Sequence, residues 1–222
     1  MFGRLDKERT RAYMIESHRS RKQADGSPYY RHSAKVAKLA DGFATTYYRQ
    51  KGNLIFPMDQ VTIKDVWHAG MLHDAIDHGR AYDDILEATS LSVANIVSAT
   101  SSDMRLPRPR RLLEYCNRLH LAEPPAQIIK LACLACNLQM AIELIQADEI
   151  SKTTVALTFW PQELRDCVSA IDTLKDSRLV KEWTWCNETA ELLDKVCKRW
   201  KRRHDILGEL LDAFPKQKRH RL

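Results

Sequence analysis

The amino-acid sequence predicts an all-α fold. Apolar residues recur at intervals of three and four over most of the 222 positions, which is the period of amphipathic helices. The strand-like stretches are too short and too isolated to propose a sheet. With 44% hydrophobic residues, a chain of this length can bury one sizeable core.

Prolines, glycines and capping residues divide the helical pattern. Residues 25–28 end the first predicted helix, and residues 52–57 separate the second from the third. Thr62 is suited to cap the third helix and Gly79 to end it, while the prolines at 107, 109, 124 and 125 delimit two more. The predicted helices cover residues 4–21, 30–50, 61–78, 90–101, 108–119, 124–147, 161–175 and 180–206.

We predict two parts of the chain, residues 1–150 and a C-terminal helical extension of residues 151–222. The junction is expected at residues 147–160. The last segment, residues 195–222, holds ten Lys/Arg and three Asp/Glu, so the net charge of +6 belongs to this basic tail. Such a run can contact nucleic acid, but we expect a solvated helix face and no nucleic-acid binding.

We predict a cytoplasmic protein without membrane association. No apolar run approaches the roughly 20 residues that span a bilayer, and the first 22 residues lack the apolar segment of a signal peptide. The cysteines lie mostly in predicted helices, which is typical of reduced thiols. They are Cys116, Cys133, Cys136, Cys167, Cys186 and Cys197.

Residues 71–78 contain the most informative feature of the chain, because His73, Asp74, Asp77 and His78 fall within six positions of a predicted apolar helix. At 3.6 residues per turn, His73 stacks on Asp77 and Asp74 on His78. A single His–Asp pair is most often structural, whereas four such groups favour a site. Imidazole and carboxylate suit Mn, Fe, Co, Ni or Zn, and further ligands must come from elsewhere.

Three segments, residues 26–32, 69–74 and 129–137, occur in the order of known motifs. They resemble the His-Asp (HD) superfamily of metal-dependent phosphohydrolases, and specifically the alarmone hydrolases of the stringent response. That family comprises the hydrolase domains of RelA/SpoT-type enzymes and small stand-alone relatives. The resemblance covers roughly residues 20–147, and residues 98–107 support it.

The resemblance implies a multi-helix HD-domain core that removes the 3′-pyrophosphate of guanosine tetra- and pentaphosphate. It implies a divalent metal, Mn in the family, with His32, His73 and Asp74 as three of its ligands. It places Asp77 where the family has the glutamate of its acid/base pair. Substrate contacts are implied for Asn137 and, more loosely, for Arg31 and Lys35.

Two departures from the family pattern affect the chemistry. Cys133 stands where the family has its fourth ligand, an aspartate, and a thiolate there lowers the affinity for Mn while suiting Zn or Fe. His78 replaces the second acid/base carboxylate, and it could act as a base that Asp74 orients. Asp77 is also one methylene shorter than the family's glutamate.

A cluster of arginines follows the helix predicted at residues 90–101. Guanidinium groups pair bidentately with phosphate oxygens, so this cluster could hold the phosphates of a nucleotide. The alternative is a solvated turn and helix start. The cluster consists of Arg105, Arg108, Arg110 and Arg111.

The sequence leaves two classes of function open. The first is a (pyro)phosphohydrolase of guanosine tetraphosphate-like alarmones or of a related phosphorylated nucleotide such as NADPH. The second is a catalytically degenerate HD-fold protein that binds a nucleotide or a protein partner as a regulator or antitoxin. A nucleoside monophosphate phosphatase of the same superfamily remains a variant of the first.

Overall fold

The structure is a computed structural model that describes residues 6–23, 25–48, 61–146 and 161–200. Every named element in these ranges is helical, and extended pairing is limited to isolated bridges such as that between Lys22 and Pro28. The prediction of an all-α fold is confirmed. The predicted junction at residues 147–160 and the basic segment beyond residue 200 lie outside the described residues.

Nine α-helices and two short 3₁₀-helices make up the described part of the chain. The 3₁₀-helices are Ile76–His78 and Asp172–Leu174. The α-helices are α1 (Lys7–Ser17), α2 (Tyr30–Tyr48), α3 (Ile63–Leu72), α4 (Tyr82–Ala88), α5 (Leu91–Thr100), α6 (Arg108–His120), α7 (Pro124–Gln146), α8 (Pro161–Ala170) and α9 (Val180–Trp200).

Helices α2, α3 and α7 pack together and position the candidate site. Helix α2 approaches α3 closely at Gly70, where an added Cβ would lie 2.9 Å from the Cα atom of Ala37. Both residues are buried, and glycine at this position allows the two backbones to come together. The close crossing sets the distance between the start of α2 and the end of α3, where two of the predicted metal ligands lie.

Helix α3 begins as predicted but ends earlier. Thr62 and Asp65 form a capping box at its start. The predicted helix over residues 61–78 is wrong at its C-terminal end, because α3 stops at Leu72 and a turn leads into the 3₁₀-helix. The Ala75 N–H bonds to the Leu72 carbonyl three residues back, which is the tighter 3₁₀ pattern. Gly79, with φ 92°, closes the segment as predicted.

Two other predicted boundaries need correction, and one helix was not predicted. Helix α1 ends at Ser17 instead of residue 21, and α8 ends at Ala170, before the second 3₁₀-helix. Helix α4 was not predicted, because seven residues make only two turns and show little periodicity. The remaining described helices agree with the sequence to within a few residues.

The helices after residue 160 join the same hydrophobic cluster as the earlier ones. Val168, Ile171 and Leu174 are buried together with residues of α2, α3 and α7. Helix α8 packs on α6 and α7, and α9 packs on α7 and α8. The division at residue 150 remains a prediction.

Over Pro124–Leu144, helix α7 is long and apolar enough to cross a membrane, contrary to the expectation that no apolar run reaches this length. Two thirds of that window (67%) is buried inside the fold, so its apolar side chains serve the core.

Candidate metal centre

Three of the predicted metal ligands converge in the interior of the fold. His32 lies in the first turn of α2, His73 directly follows α3, and Cys133 lies in α7. Their ligand atoms all lie within 4.8 Å of one another, and the His32 Nε2 atom is 3.7 Å from the Cys133 Sγ atom. The three residues are 4%, 5% and 7% exposed. Side chains from three separate helices therefore form one buried donor set.

A hydrogen bond orients His73 for binding. Its Nδ1 atom lies 2.9 Å from the carbonyl oxygen of Gly70, and because a carbonyl can only accept, Nδ1 carries the proton. Burial opposes a charge on His73, but Asp74 and Cys133 raise its pKa to about 9, so Nε2 also carries a proton in the absence of a metal. A metal would displace that proton and bind Nε2, which faces the cluster. This is the arrangement that backbone carbonyls impose on metal-binding histidines.

Asp74, the fourth predicted ligand, lies between this cluster and a second one. Its Oδ2 atom is 3.8 Å from His73 Nε2 and 3.6 Å from His78 Nε2. Its Oδ1 atom is 3.4 Å from Nε2 of His18. His18, Asp74 and His78 form a second group whose ligand atoms also lie within 4.8 Å of one another.

Tyr29 fixes the carboxylate of Asp74. Its hydroxyl donates to Asp74 Oδ2 at 2.6 Å. The Tyr29 ring also lies 5.0 Å from the His18 ring and 5.4 Å from the His32 ring, between centroids. Burial, followed by the charge of Asp74, raises the pKa of Tyr29 far above its ordinary value, so the hydroxyl remains a donor.

The neighbouring imidazoles favour the ionised forms of Cys133 and Asp74. Burial alone would raise the pKa of Cys133, but the imidazoles of His73 and His32 hold it well below its usual range. Burial likewise opposes ionisation of Asp74, while His73 and the two other neighbouring imidazoles hold its pKa well below the ordinary value. A thiolate and a carboxylate thus face the histidines, which is the donor set of a cation site.

The predicted acid/base pair is divided between two environments. Asp77 accepts the Ser102 backbone N–H at 2.7 Å, instead of stacking on His73 as a continuous helix would require. Burial raises the pKa of Asp77, although the Ser102 N–H opposes the shift. His78 contacts Asp74, as the spacing of four residues predicted. Both side chains are half-buried.

The predicted substrate residues lie around two cavities. Lys35 lines a cavity of about 430 Å³ that reaches His32. Arg105 lines another of about 450 Å³, together with the Ser102 loop that holds Asp77. The Arg105 guanidinium is exposed and paired with Asp103, at 2.8 Å through both Nε and NH2. Its availability for phosphate therefore depends on release from Asp103.

The other predicted substrate residues differ in their distance from the centre. The Asn137 amide donates to Cys133 Sγ at 3.5 Å, one turn further along α7. Arg31 is exposed beside His32 in the first turn of α2. Arg108 is exposed at the first residue of α6, and neither arginine lines the two cavities described above.

Sequence reasoning missed two residues of the centre, His18 and Tyr29. Tyr29 belongs to one of the recognised segments but had no role assigned. His18 follows α1, and together with Thr10 and Met14 it forms a buried stripe at intervals of four residues. This stripe predicts from the sequence that His18 is buried, because a histidine that continues a buried helix face is shielded from water.

No family model matches the sequence, and the comparison with curated proteins finds no match. Among solved structures, the chain matches a metazoan ortholog of SpoT that hydrolyses ppGpp and plays a role in starvation responses. The TM-score is 0.57 at 14% sequence identity, over 87% of this chain and 97% of that chain. The chain has the fold of an HD-domain hydrolase.

The HD-domain fold agrees with the order of the recognised segments. The matched part of the chain is longer than residues 1–150, so the similarity includes a portion of the C-terminal helices. At this level of identity the likeness concerns the fold, and the ligands of this centre have to be argued from the chain's own residues.

Proposed function

We propose that this chain is a metal-dependent phosphohydrolase of a phosphorylated nucleotide. The supporting observation is the buried convergence of His32, His73 and Cys133, with Asp74 in contact with His73, in an HD-domain hydrolase fold. Burying these ionisable side chains costs free energy, and a bound cation would offset that cost.

The residues present fit a divalent ion. Bonds of about 2.0–2.3 Å at tetrahedral angles place neighbouring donor atoms roughly 3.3–3.6 Å apart. The separation of 3.7 Å between His32 and Cys133 and that of 3.8 Å between His73 and Asp74 are close to this range. Asp74 clusters with His18 and His78, so its carboxylate would have to shift towards the other three ligands. Two imidazoles, one thiolate and one carboxylate favour Zn or Fe over Mn.

His32, His73, Asp74 and Cys133 would hold this ion, which would supply Lewis-acid activation of the phosphoryl group and of water. The chain itself positions the proton acceptors. Asp77 is fixed by Ser102, and imidazole is the side chain that most often serves as general base near neutral pH, so His78 is the second candidate.

The cavities support a nucleotide substrate. Volumes of about 430 Å³ and 450 Å³ lie in the range of small-molecule sites. Lys35 and Lys38 line the first cavity and supply cations for phosphate groups. Arg105 and Arg118 line the second, where they are paired with Asp103 and Glu114. We propose a guanosine tetraphosphate-like alarmone as the first substrate to test and NADPH as the second.

A second candidate function is binding without turnover, as a regulator or antitoxin. It is favoured by Cys133 at a ligand position and by Asp77, whose shorter side chain is drawn to Ser102. A misplaced base can lower a rate by on the order of a hundredfold. Tight nucleotide or protein binding that persists after chelation, without product, would support this candidate.

The test is a hydrolysis panel. Chelator-treated protein is supplied with Zn, Fe or Mn and incubated with guanosine tetraphosphate, NADPH or a nucleoside monophosphate, and released phosphate and pyrophosphate are measured. We expect activity with Zn or Fe that is lost in His73→Ala. Activity that appears only in Cys133→Asp, with Mn, would show that the native centre binds without cleaving. Equal release by native protein and His73→Ala would contradict the proposal.

A further inference from the structure

His18, Asp74 and His78 form a second group, of which only Asp74 is also a ligand of the ion proposed above. His18 is 1% exposed and directly follows α1, which contributes no ligand to the first cluster. Asp74 is 8% exposed, and the His78 side chain is 15% exposed. Three ionisable groups from two separate segments are thus enclosed within 4.8 Å of one another.

Four polar atoms of this group lack hydrogen bonds, although Asp74 forms ion pairs with both histidines and its Oδ2 atom accepts from Tyr29. Neither nitrogen of His18 has a hydrogen-bond partner, and the same holds for Asp74 Oδ1 and His78 Nε2. A buried polar atom without a partner costs on the order of 1–3 kcal/mol. His18 Nε2, Asp74 Oδ1 and His78 Nε2 lie near one another, and their ion pairs offset only part of this cost. A cation in the space between these three atoms would satisfy each of them.

The distances within the group match those between ligands of one cation. His18 Nε2 lies 3.4 Å from Asp74 Oδ1, and His78 Nε2 lies 3.6 Å from Asp74 Oδ2. Two ligands of a tetrahedral zinc site stand roughly 3.3–3.5 Å apart. Without a cation, the same atoms form ion pairs at these distances.

The surroundings would retain a bound ion. The Tyr29 hydroxyl donates to Asp74, and the His18 and His78 rings meet edge to face at a centroid distance of 5.2 Å. Tyr29 also packs on both rings, at 5.0 Å and 5.5 Å. Aromatic packing of this kind fixes ring orientation and limits the access of water.

We propose that His18, Asp74 and His78 form a second divalent-cation site, so that the centre is binuclear and Asp74 is shared by its two ions, with Oδ2 towards His73 and Oδ1 towards His18. His78 would then be a ligand, which leaves Asp77 as the proton acceptor. The inference rests on the proposed function, because the first ion also uses Asp74. The two sites differ in softness: the first contains a thiolate, whereas the second offers only nitrogen and oxygen, which suits Mn or Fe as well as Zn.

The two sites can be distinguished by spectroscopy, because only the first contains a thiolate. Co(II) titrated into the chelator-treated full chain gives a sulfur-to-cobalt charge-transfer band only at the site that contains Cys133. We expect two equivalents of tightly bound cobalt in the native protein and one in His18→Phe, with the charge-transfer band retained. His120→Ala, an exposed histidine beside Asp172, is the matched control and should keep two equivalents. If His18→Phe does not fold, His78→Phe carries the same comparison.

The outcomes separate this inference from the proposed function. One equivalent in the native protein, with the band present and unchanged in His18→Phe, overturns the second site and leaves the hydrolase proposal standing. Two equivalents without hydrolysis of any nucleotide retain the second site and overturn the hydrolase. No bound cobalt overturns both.

Discussion

The Nε2 atom of His18 lies 3.4 Å from the Oδ1 atom of Asp74, although the two residues belong to segments far apart in the sequence. Asp74 also contacts His73 through its other oxygen. One carboxylate therefore joins a histidine–cysteine cluster to a cluster of two further histidines.

Tyr29→Phe should weaken metal binding without disturbing the fold. The substitution removes the 2.6 Å hydrogen bond to Asp74 Oδ2 and keeps the ring that packs on His18. Loss of such an outer partner lowers metal affinity by about 10- to 100-fold. Isothermal titration with Zn measures the effect, and the thermal midpoint should stay near the native value. Tyr82→Phe, whose hydroxyl bonds Asn95 away from the centre, is the matched control.

Asp77→Asn should lower kcat while leaving the Ser102 contact intact, because an amide oxygen can accept the same N–H. The neutral side chain cannot take a proton, and loss of a general base costs about 10²- to 10⁴-fold in rate. Steady-state kinetics with the best nucleotide of the panel measure this loss. An unchanged kcat would show that His78, or neither residue, is the base.

Gly70→Ala should destabilise the protein by about 1–3 kcal/mol, as overpacking of a tight core does. The added Cβ would meet the backbone of Ala37 at 2.9 Å, and backbone cannot move aside as a side-chain end can. Gly42→Ala in α2 is the control, because no atom lies within 4 Å of its Cβ position. It should be neutral or stabilising by about 0.5–1 kcal/mol. Urea unfolding compares the two, and equal midpoints would contradict the close crossing of α2 and α3.

His68 should make stability fall in mild acid. Burial, followed by the charge of Lys64, lowers the pKa of His68 from 6.5 to about 4. Between these values the unfolded chain binds a proton that the folded chain does not, so stability declines as pH falls from 6.5 towards 4. The slope due to one such group is roughly 1.4 kcal/mol per pH unit.

The variant that tests this pH dependence is His68→Asn. In the native protein the Thr10 hydroxyl lies 2.8 Å from His68 Nδ1, and the asparagine side chain retains a polar atom near that position. Urea unfolding at several pH values should give a shallower decline for the variant. Parallel curves for the two proteins would assign the acid sensitivity to other groups.

The fold class was predictable because helical periodicity pervades the chain. The recognised segments predicted His32, His73, Asp74 and Cys133 as ligands, and the structure brings these residues close together in spite of their separation in sequence. The end of α3 was not predictable in the same way. The apolar pattern of residues 69–76 continues through the turn, whereas the helix stops at Leu72. Periodicity describes which face is buried and carries little information about where the backbone tightens.

The sequence analysis also missed interactions that depend on the packing of distant segments. His18 reaches the centre only because the stripe of Thr10 and Met14 packs α1 against the rest of the fold. The interaction of Asp77 with Ser102 depends on a loop that follows α5, which spacing within residues 71–78 cannot reveal. For the same reason, the pairing of Arg105 with Asp103 could not be read from the arginine cluster alone.

The most direct test of the account is pyrophosphate release from guanosine tetraphosphate by chelator-treated protein before and after Zn is restored, with His73→Ala alongside. We predict no release without metal, release after Zn is added to the native protein, and none from His73→Ala under either condition. Pyrophosphate release that depends on neither the metal nor His73 would contradict a catalytic metal at this centre.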